Sequence, residues 1–166
     1  MKKCTIDPDH SVAAFAIRHL GIAMVRGMFN KLSGCVYFDA DDVAKSTVEA
    51  EIDVASLSTG IKKRDDHVLS DEMLGAAKYP TITFKSTKVV PGGKGRAKVH
   101  GDLTIHGVTK SVTIPIQARW SAGAIEAAGS ITFPFSDFGM TAPSIGGFVT
   151  VQDHATMEFD LHFVRS

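Results

Sequence analysis

The sequence predicts an all-β fold: an eight-stranded antiparallel barrel with a short helical insertion after the third strand. Three observations predict it. Apolar and polar residues alternate with a period of two in run after run, as in strands with one buried and one wet face. Short Gly- and Pro-containing turns join most of the runs, and a single segment, 61–77, departs toward helical spacing. Sequential hairpins with one wet face must hide the other, and closure on themselves also removes exposed edges.

Alternation begins at about 11–19, with Ala13, Phe15 and Ile17 on one face, and returns at 24–39 and 46–54. In the third run Val48, Ala50, Ile52 and Val54 alternate with Thr47, Glu49, Glu51 and Asp53. Over 61–77 the apolar residues Ile61, Val68, Leu69, Met73 and Leu74 take helix-like spacing, and Ser70 is placed to cap a second short turn. Ile82, Phe84 and Ser86 restart the strand pattern, and PGGKGR at 91–96 is a turn, with no Gly-Lys-Ser/Thr to make it a phosphate loop. The stretch GDLTIHGVTKSVTIPI at 101–116 is a hairpin, expected to pair Leu103 with Ile114 and Ile105 with Val112 around Gly107–Lys110. Pro115 cannot donate a ladder bond, so its strand is expected to be irregular there. Two last strands follow at 124–135 and 151–165.

At 166 residues the chain is one domain, 1–166, large enough for a core without staples. Eighteen basic and eighteen acidic residues cancel, and no basic stripe appears, which argues against a nucleic-acid partner. No stretch approaches a membrane span. The opening MKKCTIDPDHS lacks the apolar core of a signal peptide. The chain as written is therefore expected in the cytoplasm, or in the periplasm if a leader preceded it. A bridge between Cys4 and Cys35 is conceivable if their strands lie side by side; two free, buried thiols are the other reading.

Small residues on the inward faces (Ala50, Gly101, Ala118, Ala127, Gly129, Ala155) are interspersed with Phe15, Phe84, Phe133 and Phe159. An eight-stranded barrel with such a lining either packs solid or holds one small apolar guest, and the composition leaves both open. The reactive residue types point to no catalytic centre and no metal. No His-x-His occurs, and His100, His106, His154 and His162 are expected on the wet face. RDDH at 64–67 gathers a cation, two carboxylates and an imidazole, which reads as an ion-pair cluster fixing the helix. His10, beside Asp9 and Ser11, reads as a turn-capping group.

Six motifs in order, IDPDHS (6–11), IRHLGIAMVRGMF (17–29), IDVASLSTGIKKRDDH (52–67), KYPTITFKST (78–87), GDLTIHGVTKSV (101–112) and SDFGM (136–140), resemble the YceI family of polyisoprenoid-binding, lipocalin-like proteins over essentially the whole chain. The resemblance implies a lipocalin-like barrel whose bore holds a long isoprenoid-type tail, polyprenyl or quinone-like, without catalysis and without a cofactor. On this reading the bore is lined by Phe15, Ile17, Val48, Ile52, Ile82, Phe84, Leu103, Ile105, Ile114, Ile131, Phe133, Phe159 and Leu161. Arg18, His19, Arg26, Arg64 and His67 would form a polar rim for the head group. The partner is then a small lipid, and a homodimer is admitted. Two departures stand out: Phe135 occupies a place where the family often has arginine, and Met73-Leu74 replace paired phenylalanines, which implies a looser helix. Two alternatives are an enzyme using Arg64–His67 on a lipid or quinone head, and a packed barrel serving as a protein-interaction module.

Overall fold

In a computed structural model of the chain, residues 2–19, 23–71, 73–121, 123–140, 144–145, 148–149 and 154–166 are described. Among the described residues there are thirteen strands: β1 Lys2–Ile6, β2 Val12–His19, β3 Ala23–Phe29, β4 Leu32–Phe38, β5 Thr47–Asp53, β6 Leu57–Ser58, β7 Thr81–Gly93, β8 Arg96–Ile105, β9 Val108–Ser121, β10 Ala124–Pro134, β11 Ser144–Ile145, β12 Phe148–Val149 and β13 His154–Arg165. They also hold one α-helix, α1, over Lys62–Val68. The pairing runs β1-β4-β5-β7-β8-β9-β10-β13, and β13 returns to β1, which closes eight antiparallel positions into a barrel. β11 and β12 pair only with each other.

Three positions are filled by broken strands. β13 pairs with β1 near its end, over 163–165, and with β2 along 154–160. β3 continues the line of β4 across Asn30–Lys31, and β6 continues β5 as the neighbour of β3. β1 lies outside the alternation read from the sequence because Lys2 and Lys3 interrupt its pattern.

The 101–116 hairpin is tighter than expected. Leu103 pairs with Lys110 and Ile105 with Val108, so the loop is His106-Gly107 alone. Both have positive φ, 54° and 73°, as a primed two-residue turn requires. The histidine tolerates this because its ring is held, edge-on to Tyr79 at 4.8 Å, with Nε2 2.9 Å from the Asp71 carbonyl. Lys94-Gly95 makes the corresponding turn of PGGKGR, with φ of 55° and 76°. Pro115 acts as anticipated on one side only. β9 pairs regularly with β8 through it, but the β9–β10 ladder stops at Ile116–Gly129.

That opening is where the barrel is plugged. Past Val54 the chain crosses one end through α1 and the following turns, burying Val54, Leu57, Val68, Met73 and Leu74. A 3₁₀ turn at Phe135–Phe138 packs beside β9 and β10 and buries Phe135 and Phe138, with Phe138 edge-on to Phe133 at 4.7 Å. Met73 and Leu74 are each 1% exposed, so the expected looser helix region is in fact tightly packed. Ser70 caps no second helix; its hydroxyl donates back to the His67 carbonyl at 2.6 Å and ends α1.

Candidate functional site

The other half of the barrel is hollow. A cavity of about 290 Å³ runs from mid-barrel toward the end that carries the β4–β5, β7–β8 and β9–β10 connections. Its wall is made by the inward alternation of the strands. Ala50, Ala97, Ala118 and Ala127 leave the space, and Val48, Phe84, Ile114 and Phe159 supply the apolar surface. The glycines have another task. A Cβ at Gly101 would lie 2.5 Å from the Phe84 ring and from the Lys85 carbonyl, and one at Gly129 would lie 2.9 Å from the Phe159 ring. Each glycine is therefore a seat for a ring on the neighbouring strand, and the volume comes from the alanines.

The buried polar groups near the cavity are already occupied. The Ser86 hydroxyl accepts from the Val48 N–H at 2.9 Å, and the Ser46 hydroxyl accepts from the Asp39 N–H at 3.0 Å. Among the described residues no buried side-chain nitrogen or oxygen lacks a partner. Nothing inside would address a sugar or a charged group, whereas a hydrocarbon loses nothing by entering.

At the mouth Phe38 and Trp120 stack at 5.1 Å with a tilt of 52°. Their strands, β4 and β9, stand four places apart in the ring of eight, so the pair bridges opposite walls.

Nine of the thirteen residues named for the bore border this cavity: Val48, Ile52, Ile82, Phe84, Leu103, Ile114, Ile131, Phe159 and Leu161. The other four, Phe15, Ile17, Ile105 and Phe133, do not border it but belong to the packed half, each 5% exposed or less. Alternation assigns a residue to the inside of a barrel; it carries no information on whether that level is filled. Ile82 and Leu103 belong to both regions and form the floor.

The residues named for a polar rim whose side chains are described sit elsewhere. Arg64 and His67 lie on α1, at the plugged end. Arg26 pairs with Glu158 at 2.9 Å on the outer wall. The side chains of Arg18 and His19 lie outside the described residues. Phe135, standing where the resemblance led one to expect arginine, is 2% exposed in the plug.

RDDH is a clamp, and its charges do not pair with one another as expected. Asp65 accepts from the Thr59 N–H at 2.7 Å and from its hydroxyl at 2.5 Å, while Arg64 donates to the Thr59 carbonyl at 2.8 Å. The Thr59 hydroxyl and then its N–H hold the Asp65 carboxyl below its ordinary value, with Arg64 adding to the effect. Asp66 and His67 are exposed. None of the four borders the cavity, which an enzyme built on this cluster would need.

The turn near His10 is capped by Asp7, whose carboxylate accepts from the Asp9 N–H at 3.1 Å and holds the His10 Nδ1 at 2.7 Å. The hydrogen bond with His10 lowers the Asp7 carboxyl. His162 was expected to be solvated, yet it lies 3.5 Å from both Glu126 and Asp160. Glu126 also receives Arg119 at 2.7 Å, so this is a polar cluster on the outer wall built around one ion pair. A search for His-x-His missed it because the partners are an Asp two residues away and a cross-strand Glu. β1 and β4 do lie side by side, but Cys4 pairs with Val36 and Cys35 with Thr5. The two thiols fall on opposite faces and are free, and only Cys4 is buried.

Residues 4–163 match the YceI-like domain model. The chain belongs to the YceI-like family. Curated relatives of this YceI-like chain include a UPF0312 protein of Vibrio cholerae, 35% identical over 151 residues that cover 87% of this chain and 80% of the relative. Another is a UPF0312 protein of Shewanella denitrificans, 37% identical over 137 residues, or 79% and 72% of the two chains. Among solved structures, BcnA of Burkholderia cenocepacia superposes with a TM-score of 0.85 at 26% identity, over 95% of this chain and 98% of that one. A Campylobacter jejuni YceI protein gives 0.76 at 27% identity over 90% of each chain. A polyisoprenoid-binding domain from Saccharophagus degradans gives 0.75 over the full length of both, at 18% identity, which speaks for the shared fold. No described helix is long and apolar enough to cross a membrane.

Proposed function

We propose that this protein binds the apolar tail of an isoprenoid-type or similar lipid and carries or sequesters it without chemistry. The observation that carries the reading is the apolar, one-ended cavity, beside which no described buried side-chain polar atom lacks a partner. The polyisoprenoid-binding name of the Saccharophagus domain, on the same fold, agrees with it.

The cavity also bounds the ligand. At about 30 Å³ per methylene, comparable to a water molecule, 290 Å³ takes about ten carbons. Burial of ten methylenes contributes about 8 kcal/mol, of the same order as the 4–15 kcal/mol that association costs. A modest affinity with ready exchange is expected. Because the plug closes the far end, carbons of a longer tail beyond about ten remain at the mouth, against Phe38 and Trp120.

Native mass spectrometry of protein from its own cells, followed by organic extraction, tests the reading. A co-purifying polyprenyl or quinone-like species supports it. Protein that is empty and also refuses added alkyl and prenyl chains would end it in favour of a barrel that acts only through its surface.

A further inference from the structure

We infer that the open end of the barrel docks on the surface of an anionic lipid bilayer. Three independent features meet at that end: the opening, an exposed aromatic cluster and an excess of positive charge.

The charge is invisible in the totals, which balance at eighteen and eighteen. Folding sorts it. Lys2 and Arg165 stand at the ends of β1 and β13, Lys45 in the β4–β5 connection, Lys94 at the tip of the β7–β8 turn, and Arg96 and Lys98 at the start of β8. All six are exposed. None has a carboxylate partner among the described residues, whereas Arg26, Lys78, Lys85 and Arg119, farther down or on the outer wall, do. The acids that share this end are Glu126 near the start of β10, which Arg119 neutralises, and Asp39, Asp41 and Asp42 in the β4–β5 connection, where the Asp39 carboxylate is turned onto the N–H groups of the other two. At the plugged end Lys62, Lys63, Arg64 and Lys78 are matched by Asp65, Asp66, Asp71 and Asp137.

Phe38 and Trp120 lie inside this basic rim, with Trp120 47% exposed, and Tyr37, 41% exposed, stands beside them on the outer face of β4. The Lys3 ammonium sits 5.9 Å above the Tyr37 ring. Indole and phenol rings flanked by lysine and arginine suit the boundary between lipid head groups and acyl chains, where an apolar body and a polar tip are both satisfied. A nucleic acid would satisfy the cations but would leave the mouth aromatics and the apolar opening facing water. The inference rests on the carrier reading for its purpose, since a mouth pressed to a bilayer lets a tail pass without crossing water.

Co-sedimentation with vesicles of phosphatidylglycerol mixed with phosphatidylcholine, against phosphatidylcholine alone, tests the inference. Binding to the anionic vesicles only, weakening as salt is raised, is the expected result. Each cation near such a surface is worth about fivefold, so the triple variant Lys94→Gln, Arg96→Gln, Lys98→Gln should bind about 100-fold more weakly. The control pair Lys62→Gln, Lys63→Gln should bind as the unmodified protein does. Brominated acyl chains in the vesicles should quench Trp120, the single tryptophan. Equal sedimentation with both vesicle types, an unaffected triple variant, or an unquenched Trp120 would overturn the inference. Equally tight binding to a DNA duplex would replace it with a general polyanion site. Uptake of a prenyl chain added from solvent, without vesicles, separates the two readings. Uptake without vesicle binding ends docking and leaves the carrier; vesicle binding without uptake does the reverse.

Discussion

Replacing Ala127 by leucine places three extra carbons in the cavity. Ala127 on β10 borders the cavity, and its cross-strand neighbours are Ala118 and Leu161, so the new side chain meets the small methyl of Ala118 on one side. Three methylene-sized groups occupy about 90 Å³, close to a third of the 290 Å³ available. A bound tail should lose about three carbons of burial, or about 2.4 kcal/mol, which is about a 50-fold weaker affinity. Calorimetric titration with a series of straight and prenyl chains reads this directly. In the unmodified protein affinity should climb with chain length up to about ten carbons and then level off; in Ala127→Leu the plateau should come about three carbons earlier. The apo protein should gain stability or hold it, because apolar surface is added to a vacant apolar space. An unmoved plateau together with a lowered melting temperature would refute the reasoning, since it would mean that residue 127 faces packed atoms.

Other consequences follow from the same geometry. Gly101→Ala should destabilise by about 1–3 kcal/mol or more in chemical denaturation, because its Cβ would press on the Lys85 carbonyl as well as on the Phe84 ring. Phe138→Ala should cost about 3–5 kcal/mol by leaving a hole in the plug against Phe133, while the chain-length plateau stays where it was. Asp65→Asn should lower the melting temperature at neutral pH. The folded-state carboxyl lies below its ordinary value of 3.8, so its contribution is present above that value and is lost as pH falls through the lowered one; melting curves of the two proteins should therefore converge only in strong acid. Reducing agent should leave the melting temperature unchanged, and a thiol reagent should reach Cys35 before Cys4, as measured by mass shift.

Much of the fold was legible in the sequence because a strand with one buried face writes its period into the side chains. The runs at 46–54, 124–135 and 151–165 are of this kind, and the structure places β5, β10 and β13 within them. The break at 61–77 was legible for the same reason, by loss of that period. The site was legible only in part. Nine of the residues that inward parity named border the cavity, yet it equally named Phe15, Ile17, Ile105 and Phe133, which are packed. It sent the polar rim to Arg64 and His67, at the plugged end.

The sequence by itself determined the strand class, the closed antiparallel architecture and the apolar character of the interior, all of which depend on residues a few positions apart. Tertiary structure alone decided which level of the barrel is filled. That outcome depends on α1 and the Phe135–Phe138 turn crossing one end, a contact among segments far apart in the chain. It also decided where the charge gathers. Lys2, Lys94, Arg96 and Arg165 are dispersed along a neutral sequence and become neighbours of one opening only because antiparallel strands return every second connection to the same end.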